Sequence, residues 1–466
     1  MTTATLPDAA GGPLRPRHDT TLPGRLARSA AETRAGAQLR TEDFPDWLAA
    51  RRRAHHFRVE RVPFAALDGW SFEPGTGNLG HRSGRFFSVE GLRVAVTGGP
   101  CWQQPIIRQP EVGILGILTK EFEGIPHFLM QAKMEPGNRN LLQLSPTVQA
   151  TRSNYTQVHR GAGVRYIEYF TDPDKGRVLT DVLQSEHGSW FFRKSNRNML
   201  VEAVGEVPLH EDFCWLTLGQ IGELLRADNV VNMDARTVLA CAPAAFAEDR
   251  ARCSDTELLS WFTAERSRHD VRIDRIPLAD VAGWARSPDS VDHEHGRYFR
   301  VIGVSVEAGS REVKGWSQPL FEPVGQGVTA FLVRHFDGVP HVLVHARVEG
   351  GFLDTVELGP TVQYTPGNYA HLTGAGRPRF LDVVLGAGRD RIRYEALHSE
   401  EGGRFLNAES RYLFVDADRG DAPDVPPPGY QWATPGQLNR LVGHSHYVNV
   451  QARTLLAVLG SGTVRL

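Results

Sequence analysis

The stretch FEGIPHFLMQAKMEPG (residues 122–137) reads as the second half of a β-hairpin, and FDGVPHVLVHARVEGG (residues 336–351) reads the same way. In each, a Gly two residues after an aromatic marks a short turn, and a strand-like apolar run follows it. The likeness extends outward in both directions. Upstream, DFPDWLAARRRAHHFRVERVPFAALDGW (43–70) answers ELLSWFTAERSRHDVRIDRIPLADVAGW (257–284), and Gly69-Trp70 answers Gly283-Trp284. Trp102 opens WQQP and Trp316 opens WSQP. Downstream, LSPTVQ from Leu144 answers LGPTVQ from Leu358, each followed by an Asn-Tyr pair, Asn154-Tyr155 and Asn368-Tyr369. NVVNMDARTVLA and YVNVQARTLLA close the two copies. Landmarks that keep order and nearly constant spacing over some two hundred residues mark one unit written twice. The period is far longer than the roughly 20–50 residues of a solenoid repeat.

The expected architecture is α+β: two tandem duplicated domains, each a mixed sheet flanked by helices, over residues 41–243 and 244–466. Residues 1–40, rich in Ala, Gly, Pro, Thr and Arg, read as a flexible N-terminal tail. A linker is expected at Pro243–Ser254. Each copy opens with an amphipathic helix, to which Phe44, Trp47 and Leu48 give the apolar face. Strands are expected over 86–96, 112–122, 126–134, 141–150, 164–170 and 199–204, and helices over 218–225 and 235–240. Strands first and helices after argue against a doubly wound nucleotide fold. No GxGxxG or GxxxxGK[ST] phosphate loop is present.

Composition narrows the function classes. Over 466 residues the formal net charge is −2, which leaves no footprint for nucleic acid or an anionic membrane. No apolar run approaches the roughly 20 residues that span a bilayer. The 4 cysteines form no CxxC and do not recur between the copies, as expected of reduced bystanders in a cytoplasmic protein. The histidines are scattered without metal-ligand spacing, and no HExxH or GxSxG is present, so no metal is expected.

Chemistry concentrates around QAKMEPG and LSPTVQATRSNYT. Lys133 and its counterpart Arg347 put a cation at one strand position in both copies, which suits an anionic ligand; the plain alternative is an ion pair with Glu135 or Glu349. Thr151, Arg152, Ser153, Asn154, Tyr155 and Thr156 cluster donors at a strand exit, where sugar hydroxyls could be met. Trp70 and Trp284 could stack on a base or sugar face, or fill the core. Glu186 and His187, with Arg197 beyond them, form a second polar group matched by Glu400, Glu401 and Arg411.

The motifs SGRFFSVEGLRV, W-x-QP, QAKMEPGN, LSPTVQATRSNYT and DVLQSEHGSWF resemble the NDP-hexose 2,3-dehydratase family of actinomycete deoxysugar pathways, and the resemblance runs from about Asp43 to Leu459. It implies two duplicated Nudix-like domains in a homodimer without the Glu-rich helix that holds magnesium in Nudix hydrolases. It also implies a TDP-4-keto-6-deoxyglucose substrate, no cofactor, and a product consumed by an NADPH-dependent 3-ketoreductase. On that basis Tyr155, Glu186, His187 and Lys133 are the catalytic candidates, with Tyr155, Glu186 and His187 unranked as base. Trp70, Thr151, Arg152, Ser153, Asn154, Thr156 and Arg197 are expected to bind substrate. Trp284, Arg347, Asn368, Tyr369, Asn407 and Arg411 would line a second, vestigial pocket. The competing readings are a nucleotide-sugar binding protein without turnover and a Nudix-type hydrolase.

Overall fold

The computed structural model describes residues 17, 19–151, 163–309 and 315–466. The hairpin forms as expected: Ile114–Phe122 and Ile125–Met134 run antiparallel, with Phe122 opposite Ile125. Glu123 (φ 51°) and Gly124 (φ 79°) make a two-residue turn with both φ positive, the geometry whose twist matches paired strands. Asp337 (φ 49°) and Gly338 (φ 79°) repeat it between Gly327–Phe336 and Val339–Val348.

Each hairpin sits in a seven-stranded mixed sheet. In the first copy the order is Gly176–Ser185, Ser195–Ala203, Ile114–Phe122, Ile125–Met134, Phe213–Thr217, with two short strands beside the hairpin. Ser195–Ala203 and Ile114–Phe122 are parallel, and Glu409–Asp416 and Gly327–Phe336 repeat that pairing.

Two strand expectations change. The run 141–150 splits into Leu142–Ser145 and Val148–Ala150, because Pro146 has no N–H for a ladder. Thr147 fills the gap, accepting the Leu118 N–H (2.8 Å) and donating to the Leu129 carbonyl. The segment 164–170 contains no strand; it ends in a short helix, Glu168–Thr171, preceded by Tyr166 at φ 62°. Tyr166, Tyr169 and Phe170 lie at helical rather than alternating spacing and are all buried.

Ahead of Thr41, within the stretch read as a tail, Leu22–Ala31 is a helix that buries Leu22, Leu26 and Ser29. Ser29 Oγ donates to the Pro126 carbonyl (2.6 Å) and accepts the Leu218 N–H (2.8 Å). A polar composition hid one apolar stripe at i, i+4.

The copies are interlocked by an exchange of strands. Val271–Ile276, from the second copy, pairs with Ser88–Val96 of the first, Val271 opposite Val96 and Ile276 opposite Gly91. Phe57–Val62, from the first, pairs with Phe299–Ala308 of the second, Phe57 opposite Ala308 and Val62 opposite Gly303. Each five-stranded sheet is therefore completed by the other copy. The glycine corners interlock as well. The Gly137 N–H donates to the Gly402 carbonyl and the Gly351 N–H to the Gly188 carbonyl, both at 2.7 Å. A Cβ on Gly351 would lie 1.9 Å from the Phe191 carbonyl oxygen, so backbone meets backbone with no side chain able to yield.

Between the copies pack Met233–Ala240 and Val450–Gly460. Both bury nearly every residue, so they are interior helices rather than amphipathic ones. Each carries a fully buried arginine that reaches across. Arg236 donates to the carbonyls of Val231 (2.5 Å) and Ser399 (2.6 Å). Arg453 donates to those of Val448 (2.6 Å) and Ser185 (2.5 Å). One apolar cluster runs through both copies, from Leu115 and Phe128 to Phe331 and Val344.

Arg236→Met should leave two buried carbonyls unpaired and lower stability by about 3 kcal/mol or more, read as a fall in the urea midpoint. Gly351→Ala should have a comparable effect, because the overlap cannot relax without opening the contact between copies.

Candidate active site

In the second copy, a cavity of about 740 Å³ opens between the two sheets. Trp284, Arg347, Asn368 and Tyr369, four of the residues expected there, line it together. Arg347 Nε holds Glu349 Oε1 at 2.6 Å, and its guanidinium lies 5.0 Å from the Tyr364 ring centre. Gln363 Nε2 donates to the same Glu349 oxygen (3.1 Å). Burial alone would lower Arg347, but Glu349 outweighs it and raises it. The first copy supplies part of the wall: Trp102, Gln104, His187 and Trp190. His187 Nε2 contacts Glu400 Oε2 at 2.8 Å, and its ring stacks on Trp190 (centroids 5.3 Å apart, 19° between planes). Burial would lower His187, but the hydrogen bond and charge of Glu400 raise it above its ordinary value. Glu400 is in turn lowered, against its burial, by His187. The two form a buried ion pair.

The first copy has the same frame with different groups. Lys133 lies in Ile125–Met134, 3.5 Å from Glu135 Oε1 and hydrogen-bonded to Gln149, which also donates to Glu135 (2.9 Å). Glu186 directly follows the strand Gly176–Ser185; its Oε1 accepts from Asn196 (2.7 Å), and its buried Oε2 has no hydrogen-bond partner among the described residues. Lys194, 6% exposed, holds the other side of Asn196 at 2.8 Å. Burial lowers Lys194 against the pull of Glu186. Asp234 is 3% exposed; burial, then the charges of Glu401, Glu135 and Glu186, hold its carboxyl well above the usual range. Glu401 belongs to the second copy but faces this centre, and burial followed by Glu186 pushes it up to about 7.

The expected residues therefore separate. Lys133 and Glu186 stand in the first centre, while His187 faces the second cavity. Thr151 lies at the strand exit just past Ala150. Arg152, Ser153, Asn154, Tyr155 and Thr156 lie outside the described residues. Trp70 packs in an apolar cluster with Phe87, and its indole N–H donates to the Ser317 carbonyl of the other copy (2.9 Å). Arg197 and Arg411 pair with Asp181 and Glu395 on neighbouring strands. Asn407 is an exposed turn residue (φ 51°) whose N–H donates to the Gly137 carbonyl. Lys194 and Asp234 were not among the expected residues, and Glu401 was named only as the counterpart of His187. Comparing charge between copies would have found the first two, since Ala408 and Gln451 stand at the matching positions.

The profile of the NDP-hexose 2,3-dehydratase family matches residues 41–242 and again residues 255–459, covering both copies. The chain belongs to this family. Among NDP-hexose 2,3-dehydratases, a dTDP-4-dehydro-6-deoxy-alpha-D-glucopyranose 2,3-dehydratase of Amycolatopsis orientalis is 62% identical over 459 residues, spanning 97% of each chain. The enzyme of the same name from Streptomyces violaceoruber is 53% identical over 430 residues, covering 90% of this chain and 96% of its own. That of Saccharopolyspora spinosa is 49% identical over 456 residues, covering 93% and 94%. The family's profile matches twice, once on each interlocked copy, which agrees with the duplication seen in the sheets.

Removing one partner of the buried pair with His187→Leu should cost about 3–5 kcal/mol. Because His187 is raised and Glu400 lowered, the loss relative to the native protein should be largest between about pH 4.5 and 6.5. It should shrink as pH falls through the depressed Glu400 value and as pH rises through the elevated His187 value. Urea midpoints across pH check it.

Proposed function

We propose that the first-copy centre dehydrates TDP-4-keto-6-deoxy-D-glucose across C2 and C3, giving a TDP-3,4-diketo-2,6-dideoxyglucose. The observation that carries this is the difference between the two centres. The first places Glu186, whose buried Oε2 has no hydrogen-bond partner among the described residues, beside Lys194, Asp234 and Glu401. In the second, Glu400 is neutralised by His187, and Gln451 and Ala408 replace the carboxyl and the amine. Acid–base chemistry needs titratable groups within reach of one another, and the first set gathers Glu186, Asp234, Glu401 and Lys194 in one centre.

The C4 ketone acidifies the C3 hydrogen. Glu186 is the base the geometry favours, with Tyr155 as the alternative. Lys133 and Arg152 neutralise the diphosphate, while Ser153, Asn154 and Tyr155 meet the sugar. Loss of water leaves electrons balanced, so no redox cofactor is needed. His187 acts outside this centre, as a wall of the second cavity. That cavity, with Trp284, Tyr369 and Arg347, suits a nucleotide-sugar held as a structural relic. Each copy is a Nudix-like unit in this reading, and the chain is a cytoplasmic homodimer whose product passes to an NADPH-dependent 3-ketoreductase. Among the described residues no helix is long and apolar enough to cross a membrane.

Incubation with TDP-4-keto-6-deoxyglucose and such a ketoreductase should consume NADPH only when diketone forms. Glu186→Gln should slow this by about 10²–10⁴-fold. Lys133→Met should abolish it while Arg347→Met retains it. Native rates in both Tyr155→Phe and Glu186→Gln would sink the assignment of the base, and activity lost in Arg347→Met alone would move the reaction to the second cavity.

A further inference from the structure

We propose that Glu401, a residue of the second copy, is the proton donor to the departing C2 hydroxyl in the first-copy centre. This rests on the dehydration proposed above and adds to it a catalytic group from the other half of the chain.

The placement follows from the interlocked corners. Glu401 opens a tight turn: its carbonyl accepts the N–H groups of Arg404 (3.3 Å) and Phe405 (3.0 Å). That turn is clamped to the first copy at Gly137, which donates to the Gly402 carbonyl and accepts from the Asn407 N–H, each at 2.7 Å. The clamp sets the turn against Glu135-Pro136-Gly137, directly after the strand that carries Lys133. A Cβ built on Gly403 would lie 3.1 Å from Glu401 Oε1 and 4.0 Å from Glu135 Oε1. The Glu401 carboxyl therefore shares a space with Glu135 that the bare glycine leaves open. Symmetry gives independent support: His187, the residue equivalent to Glu401, crosses the other way and lines the second cavity. Glu401 remains half-buried although protein surrounds it, as a side chain facing a cavity does.

Glu186 accepts a hydrogen bond from Asn196 (2.7 Å) and stands beside the Lys194 amine. Burial, then the charges of Glu186 and Glu135, push the Glu401 carboxyl up to about 7, against the opposing pull of Arg404 and Lys194 beside it. A carboxyl raised in this way can hold the proton that a departing hydroxyl needs.

The protons balance over the cycle. Glu186 takes the C3 proton, and the C–H electron pair forms the C3–C4 enolate. The enolate collapses to a C2–C3 double bond as the C2–O bond breaks, and Glu401 protonates the leaving hydroxide to give water. The resulting C3 enol returns its hydroxyl proton to the Glu401 carboxylate while Glu186 delivers its proton to C2. Both side chains end as they began, and the net change is loss of one water.

The test uses the full chain, its Glu401→Gln variant and two substrates: TDP-4-keto-6-deoxyglucose and its 2-deoxy-2-fluoro analogue, whose fluoride leaves without an acid. Glu401→Gln should slow water loss by about 10²-fold or more. It should release fluoride within about five-fold of the native rate, because the base step is intact. Dehydration by Glu401→Gln within about three-fold of native would overturn the assignment of Glu401 alone. Equal loss on both substrates would overturn it too, pointing to a structural role. Native protein that releases neither water nor fluoride would instead remove the dehydratase reading beneath it.

Discussion

Two guanidinium groups buried at the centre of the molecule set most of what surrounds them. A charge taken out of water is costly unless every donor finds an acceptor. Arg236 and Arg453 meet that demand with main-chain carbonyls: one from the loop that leads into each arginine's own helix, and one from the strand end of the opposite copy. Carbonyls are poor at moving. Ser185 and Ser399, which supply the far acceptors, are therefore fixed in place, and each is followed at once by a site carboxylate, Glu186 or Glu400. The arginines hold the copies together and aim the residues that do chemistry.

From those fixed serines the chain crosses over. Glu186 stays with its own sheet, but the next residue, His187, projects into the cavity of the other copy, and Glu401 does the reverse. Each centre is thus a composite of both copies. A single divergence, His against Glu, then changes both centres at once: the second gains an ion pair that quiets Glu400, and the first gains another carboxyl. Asp234 against Gln451 deepens the contrast. The two sheets share one strand order, and their centres differ in charged groups.

Much of this was legible in the sequence, for local reasons. The Gly124 and Gly338 turns and the closing helices follow from φ preference and hydrogen-bond supply at single residues, whereas the break at Pro146 was read through as one strand. The duplication was visible because landmarks recur in order. The exchange of Phe57–Val62 and Val271–Ile276 was not, since the two strands resemble each other and each fits either sheet. For the same reason Glu186 and His187, adjacent in the chain, read as one site although they serve two. Trp70 read as a stacking platform or as core; it lies in an apolar cluster, and its indole N–H reaches the Ser317 carbonyl of the other copy. Leu22–Ala31 was hidden by a composition that resembles a tail.

The exchanged strands also bear on how the chain is made. Phe57–Val62 emerges about 240 residues before Phe299–Ala308, the strand it must pair with. Such a distant pairing carries a high loop-closure cost and cannot form until most of the chain has left the ribosome. Until then the first copy waits with one sheet edge unfilled, because the strand that belongs beside Ser88–Val96 has not been synthesised. Truncated chains should therefore expose a strand edge suited to aggregation, and neither half is built to fold to completion without the other.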